Sequence, residues 1–130
     1  MINIINETKF KIIKKTVKNC VKAVLNFKNN NAELSIIFVE PNKIRKLNKQ
    51  HRGRDEVTDV LSFKSEEDNY LGDIIICPQY IKENSVEFLW EICHVATHGA
   101  LHLLGVEHKT EKARRDMHKL EEKIISSLRK

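Results

Sequence analysis

The segment TDVLSFKSEEDNYLGDIIIC, residues 58–77, contains the pattern that decides the fold. Two runs rich in apolar and β-branched residues, 58–63 and 70–77, stand on either side of the polar stretch SEEDN. Runs of this kind favour strands, and a short polar connection between them favours a hairpin. The segment therefore predicts two neighbouring strands joined by a polar turn.

The flanking sequence adds further strands and helices on both sides of this hairpin. Residues 2–5 and 33–40 predict strands, whereas apolar residues spaced by threes and fours predict a helix over residues 7–27. Pro41 suits the first turn of a helix that runs to about residue 50. Asn84 and Glu87 resemble a capping box, which would open a helix that continues to Gly105.

Thr110 is expected to cap a last helix, and the residues on the buried face of this helix are Met117, Leu120, Ile124 and Leu128. These elements predict one α+β domain over residues 1–130. In this domain a small, mixed, four-stranded sheet packs with about five helices, and a metal site lies at the end of a central helix.

The amino-acid composition favours a folded domain without disulfides or a membrane span. Of the 130 residues, 41% are hydrophobic, which is enough for a core that needs no disulfide or metal to fold. The three cysteines form no CxxC pair, so a reducing, cytoplasmic location is expected. The first fifteen residues do not resemble a secretory signal. The most apolar long window, 86–106, contains two glutamates and three histidines, which argues against a membrane span.

The stretch HGALHLLGVEH, residues 98–108, places three histidines where one ion can be bound. His98 and His102 lie four residues apart, so both fall on one face of a helix. Gly105 lets the chain turn back and bring His108 to the same point. His94 is about 12 Å from His102 along the helix, which is too far for it to share the ion, and it is expected to be a core histidine or to support a ligand.

Three neutral imidazoles suit Zn²⁺ best, one ion per chain, and Ni²⁺ or another divalent transition metal is an alternative. Three protein ligands leave a fourth position open, which is typical of a catalytic site. Metzincin proteases share this spacing but carry a glutamate directly after the first histidine. Here that position is Gly99, so the general base of such a protease is missing.

A basic run precedes the hairpin. Between Pro41 and Arg54 there are six basic residues and no acid. Arg52, near the end of this run in HRGRDEVTDVLSF, is the candidate for binding a phosphate, because a guanidinium can contact two phosphate oxygens at once. Asp59 and Asp73 are candidates for orienting Arg52 or a histidine, although each is equally explained as an ordinary acid of a turn or strand end.

Taken together, HGALHLLGVEH, HRGRDEVTDVLSF and LGDIIIC resemble the YbeY family of bacterial endoribonucleases and ribosomal RNA maturation factors. The resemblance extends from about residue 34 to the C-terminus and includes Met117 and Glu121. It departs from the family pattern at Glu107, where the family usually has aspartate, and at Val57, where it often has proline.

The resemblance implies a Zn²⁺-type ion on His98, His102 and His108, and an important arginine at Arg52. It implies a metal-dependent endoribonuclease for single-stranded RNA, with Arg52 and His98 as catalytic residues. The implied role is cytoplasmic: 3′-end maturation of 16S ribosomal RNA and ribosome quality control. The implied partners are ribosomal RNA and the small ribosomal subunit, with ribosomal proteins or a ribosome-associated GTPase as further candidates and no membrane.

Two other functions remain open from the sequence. The first is a non-catalytic ribosome-assembly factor in which the metal mainly holds the last helices together. The second is a metal-dependent hydrolase of another phosphoester or of an amide. The sequence leaves the role of Glu107, the native metal and the attacking oxygen undecided.

Overall fold

A four-stranded mixed sheet forms the centre of the computed structural model, which describes residues 1–106 and 109–129. The strands are β1 (Ile2–Asn6), β2 (Glu33–Phe38), β3 (Val60–Lys64) and β4 (Tyr70–Ile76), and their order in the sheet is β1-β2-β4-β3. β1, β2 and β4 run parallel, and β3 pairs antiparallel with β4. The hairpin predicted from residues 58–77 is therefore confirmed.

In the described residues, five helices pack with this sheet, which agrees with the predicted fold class. They are α1 (Lys14–Phe27), α2 (Pro41–Arg52), α3 (Pro78–Asn84), α4 (Phe88–Leu103) and α5 (Glu111–Leu128). In the part of the chain that the structure describes, no helix combines the length and the apolar composition needed to cross a membrane.

The two faces of the sheet bury different sets of side chains. On one face, strand residues such as Leu34, Ile36 and Ile74 join the large core formed with α1, α4 and α5. On the other, Leu61 and Ile75 form a smaller cluster with Ile44 of α2. This alternation follows from the two-residue period of a strand, and it places α4 and α2 on opposite faces.

Two predicted helix starts were wrong, in each case because an asparagine side chain bonds elsewhere. Residues 7–13 are not helical: the Asn6 side chain accepts from Thr8 N at 2.9 Å and donates to Phe10 O at 2.8 Å. These bonds stabilise a turn instead of a first helical turn. Asn84 does not cap α4 either, because its amide donates to Tyr80 O at 2.8 Å and closes α3. The short helix α3 was not predicted.

The last helix agrees with its predicted start. Thr110 Oγ1 accepts from Ala113 N at 3.0 Å, which is the expected N-cap. Met117 and Ile124 are buried, but Leu128 is 36% exposed and does not belong to the buried face. Glu121 is only 2% exposed and takes a place on that face which the apolar pattern did not assign to it.

Candidate metal centre and adjoining cleft

His98 and His102 lie one turn apart on α4 and direct their Nε2 atoms at each other. The two Nε2 atoms are 3.0 Å apart, and the ring planes meet at 73°. Two nitrogens bound to one tetrahedral Zn²⁺ are separated by about 3.4 Å. The two rings are therefore arranged so that a small movement lets both bind one ion.

Glu121 of α5 fixes the orientation of the His98 ring. Its Oε2 lies 2.5 Å from His98 Nδ1, and its Oε1 lies 2.8 Å from His94 Nε2. A proton on His98 Nδ1 that is donated to this carboxylate leaves Nε2 as the metal-binding atom. His94 thus supports the centre through Glu121, in line with the supporting role expected from its distance to His102.

The Glu121 carboxylate stays ionised although it is almost completely buried. Burial by itself raises the pKa of the group, but the hydrogen bonds from His94 and His98 outweigh burial and hold the pKa at about 2. The same contact with Glu121 raises the pKa of His94, against the opposing effect of burial. A buried acceptor of this kind orients two imidazoles at neutral pH.

His94 and Glu121 also belong to a second group of side chains that could bind a metal. Among residues 1–106 and 109–129, His94, His118 and Glu121 place one ligand atom each within 4.8 Å of one another. This group can hold a divalent ion. The sequence patterns assigned no functional role to Glu121. Its position could have pointed to it, because Glu121 is a charged residue four positions after Met117, on the buried face of α5.

A cleft of about 620 Å³ opens beside His98 and His102. Its lining includes these two histidines together with Arg52, Asp59, Lys64 and Lys109. The structure therefore brings Arg52 of α2 to the same cleft as the histidine pair, although 46 positions (98 − 52) separate Arg52 from His98 in the chain. His108 and Glu107 lie outside the described residues, so the third ligand remains a prediction.

The end of α2 gives Arg52 its position at the cleft. Gly53 adopts φ +69° and ψ +17°, a left-handed conformation that ends the helix directly after Arg52. Buried Asn48 then holds the following loop, because its Nδ2 donates to Glu56 O at 3.0 Å. The arginine therefore projects from a fixed helix terminus.

Ion pairs neutralise part of the positive charge of the basic run that leads to Arg52. Lys43 pairs with Glu7 at 2.9 Å, and Arg45 pairs with Asp55 at 2.8 Å. Arg54 lies 3.6 Å from the carboxylate of Glu56. Three of the six cations thus face acids that come from outside the run. The cleft is a better candidate for phosphate binding than the run as a whole.

The two candidate acids have different positions. Asp59 lines the cleft, where its Oδ1 accepts from Val60 N at 2.8 Å and from Thr58 Oγ1 at 3.3 Å. These contacts fit the interpretation of Asp59 as an acid at the start of a strand. Asp73 accepts a hydrogen bond from Tyr70. Its neighbour Ile74 faces α4, so the alternation along β4 turns Asp73 away from the histidines.

Gly99 allows α4 to lie against the sheet. A Cβ at this position would be 2.9 Å from Ile74 Cγ2 and 3.1 Å from Ser62 Oγ. No side chain fits there without displacing buried atoms. The sequence has no metzincin-type glutamate at this position, and the packing around Gly99 also leaves no space for one.

Gly99→Ala should lower the free energy of unfolding by about 1–2 kcal/mol, because overpacking outweighs the gain in helix propensity. Thermal unfolding followed by circular dichroism measures this change. A melting temperature equal to or above that of the parent would contradict the steric argument, since the gain in helix propensity would then act alone.

Comparison with known proteins agrees with the resemblance seen in the sequence. The family model described as Endoribonuclease YbeY matches residues 3–129. Endoribonuclease YbeY of Thermoanaerobacter sp. (strain X514) is 36% identical in an alignment that covers 89% of this chain and 87% of the relative. Endoribonuclease YbeY of Desulforamulus reducens is 38% identical and covers 88% of this chain and 85% of the relative.

A solved structure has the same fold. The solution structure of TM1509 from Thermotoga maritima superimposes with a TM-score of 0.70 at 29% sequence identity. The match covers 99% of this chain and 92% of that one. Because both the family model and these relatives match nearly the whole length, the chain belongs to the YbeY endoribonuclease family.

Proposed function

We propose that this chain is a metal-dependent endoribonuclease that cuts single-stranded RNA in the cleft beside His98 and His102. The observation that carries the proposal is the shared cleft, in which a guanidinium and two imidazoles with converging Nε2 atoms face one space. The names of the relatives at 36% and 38% identity support the same activity.

The catalytic ion in this proposal is one Zn²⁺ per chain, held by His98, His102 and His108, and the donor set suits another divalent transition metal as well. When bound, such an ion supplies a Lewis acid beside the scissile phosphate. Glu121 keeps the His98 ring turned toward the ion by accepting the proton of Nδ1. The whole chain, residues 1–130, acts as one hydrolase domain.

Arg52 has a separate task in the proposed reaction. Its guanidinium binds two oxygens of the scissile phosphate and stabilises the charge that develops on them. Lys64, which lines the same cleft, adds attraction for the RNA backbone. Because this attraction is electrostatic, RNA binding should weaken as the salt concentration rises.

The biological substrate in this proposal is the 3′ end of 16S ribosomal RNA, processed in the cytoplasm on the small ribosomal subunit. A ribosomal protein or a ribosome-associated GTPase would be a further partner. The family membership supports this assignment.

Cleavage of a single-stranded RNA by the purified, Zn²⁺-loaded protein tests the proposal. Arg52→Ala should cut about tenfold more slowly, because one charge-assisted contact with the phosphate is lost. Arg54→Ala is the matched control and should retain the parent rate, since Arg54 is an exposed neighbour that does not line the cleft. Equal rates for the parent and Arg52→Ala would show that the activity does not arise in this cleft.

The same measurement separates the proposal from a non-catalytic assembly factor. Such a factor would bind RNA without cutting it, and Arg52→Ala would change binding alone. A panel of small phosphoesters and peptides, tested beside RNA, separates the proposal from other hydrolases.

A further inference from the structure

A second polar group lies where α4 and α5 pack together, beside a cavity of about 280 Å³ that differs from the cleft at His102, although His98 lines both. His94 comes from α4, and His118, Glu121 and Glu122 come from α5. His94 Nε2 lies 2.8 Å from Glu121 Oε1, and the centroids of the His94 and His118 rings are 5.9 Å apart. The proposed catalytic centre uses none of these side chains as a direct ligand.

The donors of this group suit a borderline transition metal. Two imidazole nitrogens and one carboxylate oxygen lie within 4.8 Å of one another. Ligands of a tetrahedral ion are about 3.4 Å apart, so an ion would draw them together by roughly 1 Å. The His118 side chain is 64% exposed and can turn toward the other donors without disturbing the core.

A further carboxylate lies beside the two histidines, although it is not one of the three donors that lie together. Glu122 Oε1 lies 3.7 Å from His94 Nδ1 and 3.9 Å from His118 Nε2. The Glu122 side chain is 53% exposed, so it also has room to move. Two histidines and one carboxylate at a helix crossing form a ligand set that Zn²⁺, Co²⁺ or Ni²⁺ accepts.

We propose that His94, His118 and Glu121 form a second site for a divalent transition metal, separate from the centre at His98 and His102. The two sites are linked, because Glu121 offers Oε1 to the second site while Oε2 holds His98 Nδ1.

The second site is the weaker of the two. Binding breaks the hydrogen bond between His94 and Glu121, and it immobilises the exposed side chain of His118. Arg114 lines the same cavity and adds a positive charge that opposes the ion.

Titration of the metal-free, full-length protein with Zn²⁺ alone, followed by calorimetry, tests the proposal. The parent should bind two equivalents, with dissociation constants that differ by about 100-fold or more. His118→Gln should keep the tight equivalent and lose the weak one. His102→Ala should lose the tight equivalent and keep the weak one.

His51→Gln is the control for adventitious binding, because His51 is an exposed histidine that packs on Phe63, away from α5. It should bind two equivalents, like the parent. Circular dichroism melting of each variant shows that it is folded before it is titrated.

Three results would overturn the second site: a single equivalent in the parent up to about 1 mM Zn²⁺, two equivalents in His118→Gln, or loss of both in folded His102→Ala. None of them depends on RNA cleavage, so the second site and the proposed function can fail independently.

Discussion

His102→Ala should lose the tightly bound metal and cut RNA about a thousandfold more slowly than the parent, or not at all. The Nε2 atoms of His98 and His102 are 3.0 Å apart, so the pair forms the rigid part of the proposed centre. Removing His102 takes away the imidazole whose Nε2 faces that of His98, while Glu121 still holds the other side of the His98 ring. Two of the three proposed ligands cannot hold a catalytic ion tightly.

Two measurements on the same protein sample check this expectation. Elemental analysis after dialysis should give one tight equivalent of transition metal for the parent and none for the variant. The RNA assay should then show loss of cleavage that added Zn²⁺ does not restore at concentrations that saturate the parent. Alanine favours a helix, so α4 should remain folded in the variant.

His51→Ala is the matched control. His51 is also a histidine near the end of a helix, but it is exposed and packs its ring on Phe63 at 4.8 Å between centroids. Its replacement should leave metal content and cleavage unchanged. If His102→Ala retained its metal and its rate, the ion and the active centre would have to lie elsewhere.

Glu121→Gln should weaken Zn²⁺ binding at the His98 centre by about 10- to 100-fold, the usual effect of removing a group that orients a metal ligand. The amide has the size of the carboxylate, but it offers one acceptor atom in place of two. Either His94 Nε2 or His98 Nδ1 then faces an NH₂ group. We also expect the free energy of unfolding of the metal-free protein to fall by about 1–3 kcal/mol, since Glu121 is buried.

Glu122→Gln provides the comparison, because Glu122 is the adjacent residue but 53% exposed. This variant should have the melting temperature of the parent and the same affinity for Zn²⁺ at the His98 centre. Zn²⁺ titration and thermal unfolding of both variants measure the two effects. Equal affinities in the Glu121 and Glu122 variants would mean that the contact between Glu121 and His98 has no influence on the centre.

The helices and strands that could be predicted are those in which the spacing of apolar residues agrees with the residues that start or end the element. The β3–β4 hairpin, the helix after Pro41 and the cap at Thr110 all appear where the residues suggested. The prediction failed over residues 7–13, where apolar spacing suggested a helix but the Asn6 side chain bonds to the backbone of the next residues. A helical period cannot reveal such local competition.

The histidine pair could also be predicted, since positions four apart on a helix must share one face. The sequence also argued against metzincin-type proteolysis, because Gly99 occupies the position of the glutamate that serves as the general base in those proteases. What the sequence lacked was the partner of each ring. Glu121 comes 23 residues after His98, and only the packing of α5 on α4 brings its carboxylate to two histidines.

The sequence by itself determined the strands, most of the helices and the face of α4 that presents two imidazoles, because these depend on neighbours within about one turn. Tertiary structure alone decided that Lys43 of the basic run meets Glu7, which lies 36 positions away in the chain. It also decided that Arg52 shares a cleft with His98 and that a buried carboxylate orients this histidine. These contacts join distant parts of the chain, so their geometry is fixed by how the helices pack on the sheet.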